Sequence, residues 1–325
     1  MASAIPSCRT LENFSGENQN AASFDRFADG FMHWVYRSSL SNAFVAMVND
    51  FTFCGFICLA NDTDWSVAWS QNARADMDQR DHANQAGSKM KHLYKKSELT
   101  FSLVLVGLYV ALFSIADNLS RSIGIEKILT APLSVLFVAV LYVWIHKNGL
   151  LKKYGLCAFD GKAKDYFYFI PLFVIGSCNL WNGVQLNCSP METALYVLSM
   201  LCVGFIEELI FRGFLFKAMA KDGIKSAIIV SSITFGLGHI INLVNGAELL
   251  PTFLQIIYAT AIGFLFTMLF HKGKCLWPCI ITHSVVNSLS VIGVEGTTTE
   301  KIISAVILTA VSLGYIALIY KNKKE

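Results

Sequence analysis

Apolar runs close to the length of a membrane-crossing helix recur through the last two-thirds of the chain, each separated from the next by a short polar stretch. They fall at 100–116, 128–145, 166–176, 193–216, 227–244, 250–270, 276–294 and 302–320. About twenty apolar residues cross a hydrocarbon core as an α-helix. The pattern therefore predicts an all-α, polytopic transmembrane helical bundle of about eight spans. The third run is short, and Pro171 within it predicts a tilted or re-entrant piece.

The pattern changes before residue 95. Residues 1–41 mix Ser, Asn, Gly and aromatics without a period, and residues 61–98 are strongly polar. Between them, 43–60 is apolar but short and carries Asp50 near its centre, which predicts an interfacial or buried helix in place of a span. No charged segment leads into an apolar run and a small-residue cleavage site, so no secretory signal peptide is expected. The organisation read from the pattern is an N-terminal extension, 1–95, partly disordered or interfacial, followed by a membrane domain, 96–325.

Composition agrees with the bilayer as solvent. Of 325 residues, 54% are hydrophobic and 15% charged, and the mean hydropathy is +0.50. Soluble domains carry about a quarter charged residues. The formal net charge of +3, from 26 Lys and Arg against 23 Asp and Glu, is too even for a nucleic-acid binder. The nine cysteines are scattered. Cys54 and Cys58, like Cys275 and Cys279, form a CxxxC in apolar surroundings, which favours packing over metal or redox chemistry. Loop charge predicts orientation, because cytoplasmic loops retain Lys and Arg. One set of loops carries Lys91, Lys95, Lys96, Lys147, Lys152, Lys153, Lys162, Lys164, Lys217, Lys221, Lys225, Lys272, Lys274, Lys321, Lys323 and Lys324; the other has Arg121, Lys127 and Lys301. A multi-pass integral membrane protein with a cytoplasmic C-terminus is the expectation, in the cytoplasmic membrane if the source is bacterial.

Ionisable groups inside apolar runs cost about 2.5–3.5 kcal/mol each on insertion scales, so each calls for a partner or a function. The fourth run holds Glu207, Glu208 and Arg212. Glu208 and Arg212, four apart, share a helix face and can pair, while Glu207 points about 100° away. The fifth run places Phe235 and His239 one turn apart, with Gly236 and Gly238 removing bulk where a neighbouring helix can approach. The seventh places His283 and Asn287 four apart. Each pair alone is compatible with helix packing. Together they read as one buried site, in which a carboxylate and a His can take a proton from water and a His and an Asn can donate to the oxyanion formed when that water attacks a carbonyl. Ser284 and Ser288 show no spacing that suggests a covalent triad.

These residues, GluGluLeuIlePheArg from Glu207, PheGlyLeuGlyHis from Phe235 and HisSerValValAsn from His283, resemble in order the EExxxR, FxxxH and HxxxN motifs of the CAAX protease and bacteriocin-processing (CPBP or Abi) family. The resemblance covers about a third of the chain, a motif core at 190–290, and implies a CAAX-protease-like intramembrane endopeptidase. It implies that Glu207 and His239 activate water, that His283 and Asn287 form the oxyanion hole, that Glu208 and Arg212 support them and that Phe235 shapes the cavity wall. Zinc bound by Glu207, His239 and His283 is the alternative to a mechanism without cofactor. The metal-independent glutamate mechanism is favoured because no HExxH helix sets two His ligands one turn apart. The implied partners are the lipid bilayer and a peptide or membrane-protein substrate, either a prenylated CAAX protein, from which family members remove the last three residues, or a bacteriocin or leader peptide. A non-enzymatic immunity or binding protein of the same fold and a proton-coupled transporter are the competing classes; intact motifs count against the first, and confinement of the ionisable residues to the C-terminal half against the second.

Overall fold

The structure is a computed structural model and describes residues 87–158 and 170–321. The expected helix at 43–60, the Cys54–Cys58 pair and the first part of the third apolar run lie outside the described residues. The described chain is helical throughout: α1 (87–96), α2 (Glu98–Ile123), α3 (Thr130–Lys147), α4 (Ile170–Gly176), α5 (Pro190–Glu208), α6 (Ile224–Gly238), α7 (Ile241–Val244), α8 (Leu249–Gly273), α9 (Trp277–Leu289) and α10 (Thr298–Lys321). Residues 102–321 lie in one compact unit; residues 87–101, comprising α1 and the first residues of α2, fall in another.

Among the described residues, six helical stretches are long and apolar enough to cross a bilayer: α2, α3, α5 with its continuation to Met219, α6 through α7 (Ile224–Val244), α8 and α10. The count expected from the pattern was about eight, and the difference lies in the third and seventh runs. In the third, the described helix is the seven-residue α4. The seventh forms α9, of 13 residues with Pro278 near its start, about 20 Å at 1.5 Å per residue against a core of about 30 Å. The described chain nevertheless stands at one end of the bundle before each short helix and at the other end after it. At one end the Leu276 amide donates to the Gly155 carbonyl (2.9 Å) and Lys217 lies over the Phe270 ring (4.9 Å), so the loops that carry Lys152, Lys153, Lys217, Lys272 and Lys274 meet there. At the opposite end Arg121 Nη1 donates to the Asn245 carbonyl (3.0 Å), the Glu126 amide to Glu192 Oε1 (3.0 Å), and Asn187 Nδ2 to the carbonyls of Val291 (2.9 Å) and Gly293 (3.0 Å). Among the described residues, the loops with Lys152, Lys153, Lys217, Lys272 and Lys274 and those with Arg121 and Lys127 thus lie at opposite ends.

Local chemistry accounts for the element ends. Ser189 and Glu192 form a capping box that opens α5, with Pro190 at its first position. Past Glu208 the same helix widens into a π-helical stretch, Leu209–Phe216, every residue of which is buried. Such local widening accompanies functional sites often enough to mark this turn for attention.

Helix α5 packs against α3 and α9, and α8 against α6 and α10. Close approach in these pairs depends on glycine. A Cβ at Gly204 would fall 2.6 Å from the Ser284 amide nitrogen, and one at Gly236 would fall 3.0 Å from the Ile256 carbonyl oxygen. Ser284 Oγ donates to the Leu201 carbonyl (3.0 Å) across the first of these contacts. Gly238 differs: nothing lies within 4 Å of the Cβ it lacks. Gly204→Val is expected to destabilise by about 1–3 kcal/mol, lowering the thermal midpoint of the detergent-purified protein, whereas Gly238→Ala leaves it unchanged or raised. Equal effects at both positions would show that the α5–α9 contact is not tight at Gly204.

Candidate active site

Glu207 and Glu208 end α5 at the start of the π-helical stretch, where consecutive side chains leave the axis in different directions. Glu208 turns inward. Its Oε1 accepts from Arg212 Nη1 (2.9 Å) and lies 2.8 Å from His283 Nδ1, with all three side chains fully buried. The expected Glu208–Arg212 pairing therefore exists, and His283 joins it. The Arg212 guanidinium stacks over the Phe235 ring at 4.0 Å, so its charge is met by a carboxylate on one edge and a π-face on the other. Phe235 presents its ring at right angles to both imidazoles, with centroids 5.3 Å from His239 and 5.5 Å from His283.

Glu207 turns the other way and lines a cavity of ≈ 120 Å³. Its Oε1 accepts from the Tyr109 hydroxyl at 2.5 Å, and its Oε2 lies 3.5 Å from His283 Nε2. Phe235, His239 and Asn287 share the cavity wall with it, as do Gly238 and Asn242. His239 Nδ1 is 3.1 Å from the Phe235 carbonyl one turn back; that oxygen can only accept, so Nδ1 carries the proton and Nε2 is the basic nitrogen. The side chain of Asn287 is fully buried, yet neither its Oδ1 nor its Nδ2 has a hydrogen-bond partner among the described residues. Leaving such an amide unpaired costs about 1–3 kcal/mol.

The predicted residues are thus together, in two layers. Glu207, His239, Asn287 and Phe235 face the cavity; Glu208, Arg212 and His283 stand behind. His283 is not on the cavity wall: it bridges the two carboxylates. Glycine at 238 leaves a gap on the cavity surface, while close helix approach is served by Gly236 alone of that pair. Cys275 and Cys279 are free buried thiols directed at the backbone carbonyls of Cys157 and Phe266.

Tyr109 was not anticipated. It comes from the middle of α2, 98 residues from its partner Glu207, and it stands in a ring cluster with Phe113 (4.6 Å) and Phe137 (6.5 Å). A hydroxyl in an apolar run was the one visible signal. At the lysine-poor end the cavity reaches Asp117, whose Oδ1 takes both Lys127 Nζ (2.8 Å) and the Thr130 hydroxyl (2.5 Å).

The zinc alternative requires Glu207, His239 and His283 to converge. Among the described residues no group of three or more His, Cys, Asp or Glu is arranged to hold a metal ion. His283 Nε2 and Glu207 Oε2 stand 3.5 Å apart, with the other His283 nitrogen on Glu208 and the other Glu207 oxygen on Tyr109.

Replacing Arg212 by Met would leave the Glu208 carboxylate buried beside His283 without its cation. The expected cost is about 3–5 kcal/mol, read as a lowered thermal midpoint, and the additional change Glu208→Gln should restore part of it. A double variant no more stable than Arg212→Met would remove the ion pair from the account.

Residues 189–289 match the family model described as Rce1-like, type II CAAX prenyl endopeptidase. The matched segment begins at the N-cap of α5 and ends with α9, so it contains all seven motif residues and excludes Tyr109, Asp117 and Lys127. It bears out the resemblance to the CAAX protease and bacteriocin-processing family over that segment and supports peptidase activity in a multi-pass membrane protein. No curated protein matches the chain.

Proposed function

We propose that the chain is an intramembrane endopeptidase of glutamate type, acting on a membrane-associated or prenylated protein or peptide. The observation that carries the reading is the wall of the small cavity: a carboxylate, an imidazole and an unpaired buried amide converge on a space that a peptide carbonyl and a water can occupy. A binder of the same fold has no use for that combination.

In this reading Glu207 is the general base. The Tyr109 hydroxyl fixes Oε1, which leaves Oε2 to take a proton from water held between it and Nε2 of His239. The water oxygen bonds to the scissile carbonyl carbon, and the oxyanion so formed accepts from Asn287 Nδ2, whose lack of a partner keeps it free for that charge. Glu207 then returns the proton to the leaving nitrogen as the C–N bond breaks, giving a carboxylic acid and an amine, which leave as carboxylate and ammonium once the acid's proton passes to the amine.

His283 takes a supporting part. With Nδ1–H donated to Glu208, its Nε2 is an acceptor facing Glu207 Oε2, and it stabilises Glu207 in the protonated form that follows attack. Arg212 holds the Glu208 carboxyl group in place beside His283 Nδ1. Asn287 is then the oxyanion donor on the cavity wall. The mechanism uses no metal.

Glu207→Gln should abolish hydrolysis of a peptide library by the purified protein without lowering its thermal midpoint, since Gln keeps the volume and loses the base. Asn287→Ala should lower kcat on the order of 100-fold with little change in KM. Activity should survive strong chelators. Loss with chelator and return with zinc, or an Asn287→Ala effect confined to KM, would overturn the assignment.

The proposed orientation puts the lysine-rich end and the C-terminus in the cytoplasm. Reporter fusions after Lys153, Lys225 and Lys324 are then expected to report cytoplasm, and those after Asn187 and Gly296 the opposite side. A uniform reversal would invert the protein; a single reversal would remove α4 or α9 as a crossing.

A further inference from the structure

A second cavity, of ≈ 250 Å³ and about twice the volume of the one at Glu207, lies at the lysine-poor end of the bundle. Its walls come from the stretch after α4, the first half of α8, the loop after α9 and the first turns of α10. Five carboxamides line it, Asn179, Asn182, Gln185, Asn187 and Gln255, beside the hydroxyls of Thr252, Tyr258, Ser290 and Ser304. Three of these knit the wall, Asn179 donating to the Val286 carbonyl (2.6 Å), Gln185 to Asn187 Oδ1 (2.6 Å) and Asn187 to the carbonyls of Val291 and Gly293. Asn182 and Tyr258 line the cavity and take no part in those bonds.

The charged residues on this cavity, Glu295 and Lys301, are paired with each other at 2.6 Å. The lining therefore offers donors and acceptors without net charge, beside apolar surface from Pro251, Leu254, Val294 and Leu308. An extended polypeptide matches both halves of that surface. Each residue of it carries one N–H and one C=O, which a carboxamide can meet with its own acceptor and donor, and side chains to lay against the apolar half.

The two cavities share a wall. Asn242, on the Glu207 cavity, donates to Gln255 Oε1 (2.9 Å), on the amide-lined one. Ser290, also on the amide-lined cavity, lies three residues past Asn287, about 4.5 Å along the helix axis, and its Oγ donates to the Asn287 carbonyl (2.6 Å). One amide–amide hydrogen bond and one helical turn separate the proposed oxyanion donor from the larger space.

We infer that the amide-lined cavity is a peptide subsite of the same enzyme, taking an uncharged, extended stretch of substrate to one side of the scissile bond. The inference rests on the endopeptidase reading, and the Asn242–Gln255 contact is the place where peptide would pass between the cavities.

The test uses the full-length Glu207→Gln protein in detergent, so that binding is read without turnover. The probes are fluorophore-labelled alanine and serine peptides, blocked at both ends, of about two to six residues and up to ~20 Å in extended length, followed by anisotropy. Affinity is expected to rise with length, and adding Asn182→Leu with Tyr258→Phe should weaken the longest probe by about fivefold or more while leaving the shortest unchanged. Should the double change unfold the protein, Tyr258→Phe alone, which keeps the ring, is expected to give about half of that effect on a logarithmic scale. Affinity independent of length, or a loss equal at all lengths or absent, would overturn the subsite. Failure of the endopeptidase reading is separate: the unmodified protein would then bind the probes in the same length-dependent way and cleave no peptide.

Discussion

A buried carboxylate that answers to two partners organises the centre of this protein. Glu208 Oε1 receives both Arg212 and His283, all three out of contact with solvent, and the Arg212 guanidinium is laid on Phe235. Taking these charges out of water costs several kcal/mol each, which their attraction offsets only if the geometry is good. Net stability is therefore a poor explanation for the cluster. What it supplies is position: it ties α5, α6 and α9 to one point and fixes which nitrogen of His283 carries the proton. The next residue along, Glu207, is left directed into the cavity with its own environment. In the proposed mechanism, one carboxylate is immobilised so that its neighbour can react.

The sequence made some of this legible and concealed the rest, for identifiable reasons. Glu208 and Arg212 were readable as a pair because helical periodicity alone places residues four apart on one face. That the carboxylate, the two imidazoles and the amide gather was readable because several unpaired polar groups in apolar helices need a common explanation. His283 was expected beside Asn287 on the oxyanion, since four-residue spacing puts both on one side of α9. In the structure the imidazole lies between Glu207 and Glu208, and that direction depends on where α5 lies against α9, which no local spacing encodes. The Tyr109 contact spans 98 residues, and nothing in its neighbourhood separates it from an ordinary interfacial tyrosine. The apolar length of the seventh run overstated its helix for a related reason: residues flanking α9 are apolar because they are buried against the protein, as Leu276 and Val291 are, and burial and lipid exposure look alike in composition.

The segment that matches the peptidase family and the segments that shape its surroundings are different parts of the chain. Glu207, Glu208, Arg212, Phe235, His239, His283 and Asn287 all fall within 189–289, where close helix contacts such as Gly204 on Ser284 hold them in register. The far wall of the Glu207 cavity comes from α2 and the loop after it, through Tyr109, Phe113, Asp117, Lys127 and Thr130. The amide-lined cavity borrows α10 and the stretch after α4. Chemistry and recognition can therefore vary independently: changes in α2 or α10 alter the space around the reacting bond without touching the ion cluster. The exception is Tyr109, which lies outside the matched segment and yet holds the proposed base. Through that hydroxyl, movement of α2 against α5 would change the position of the Glu207 carboxylate itself, so the helix that walls the cavity also sets the geometry of the proposed base.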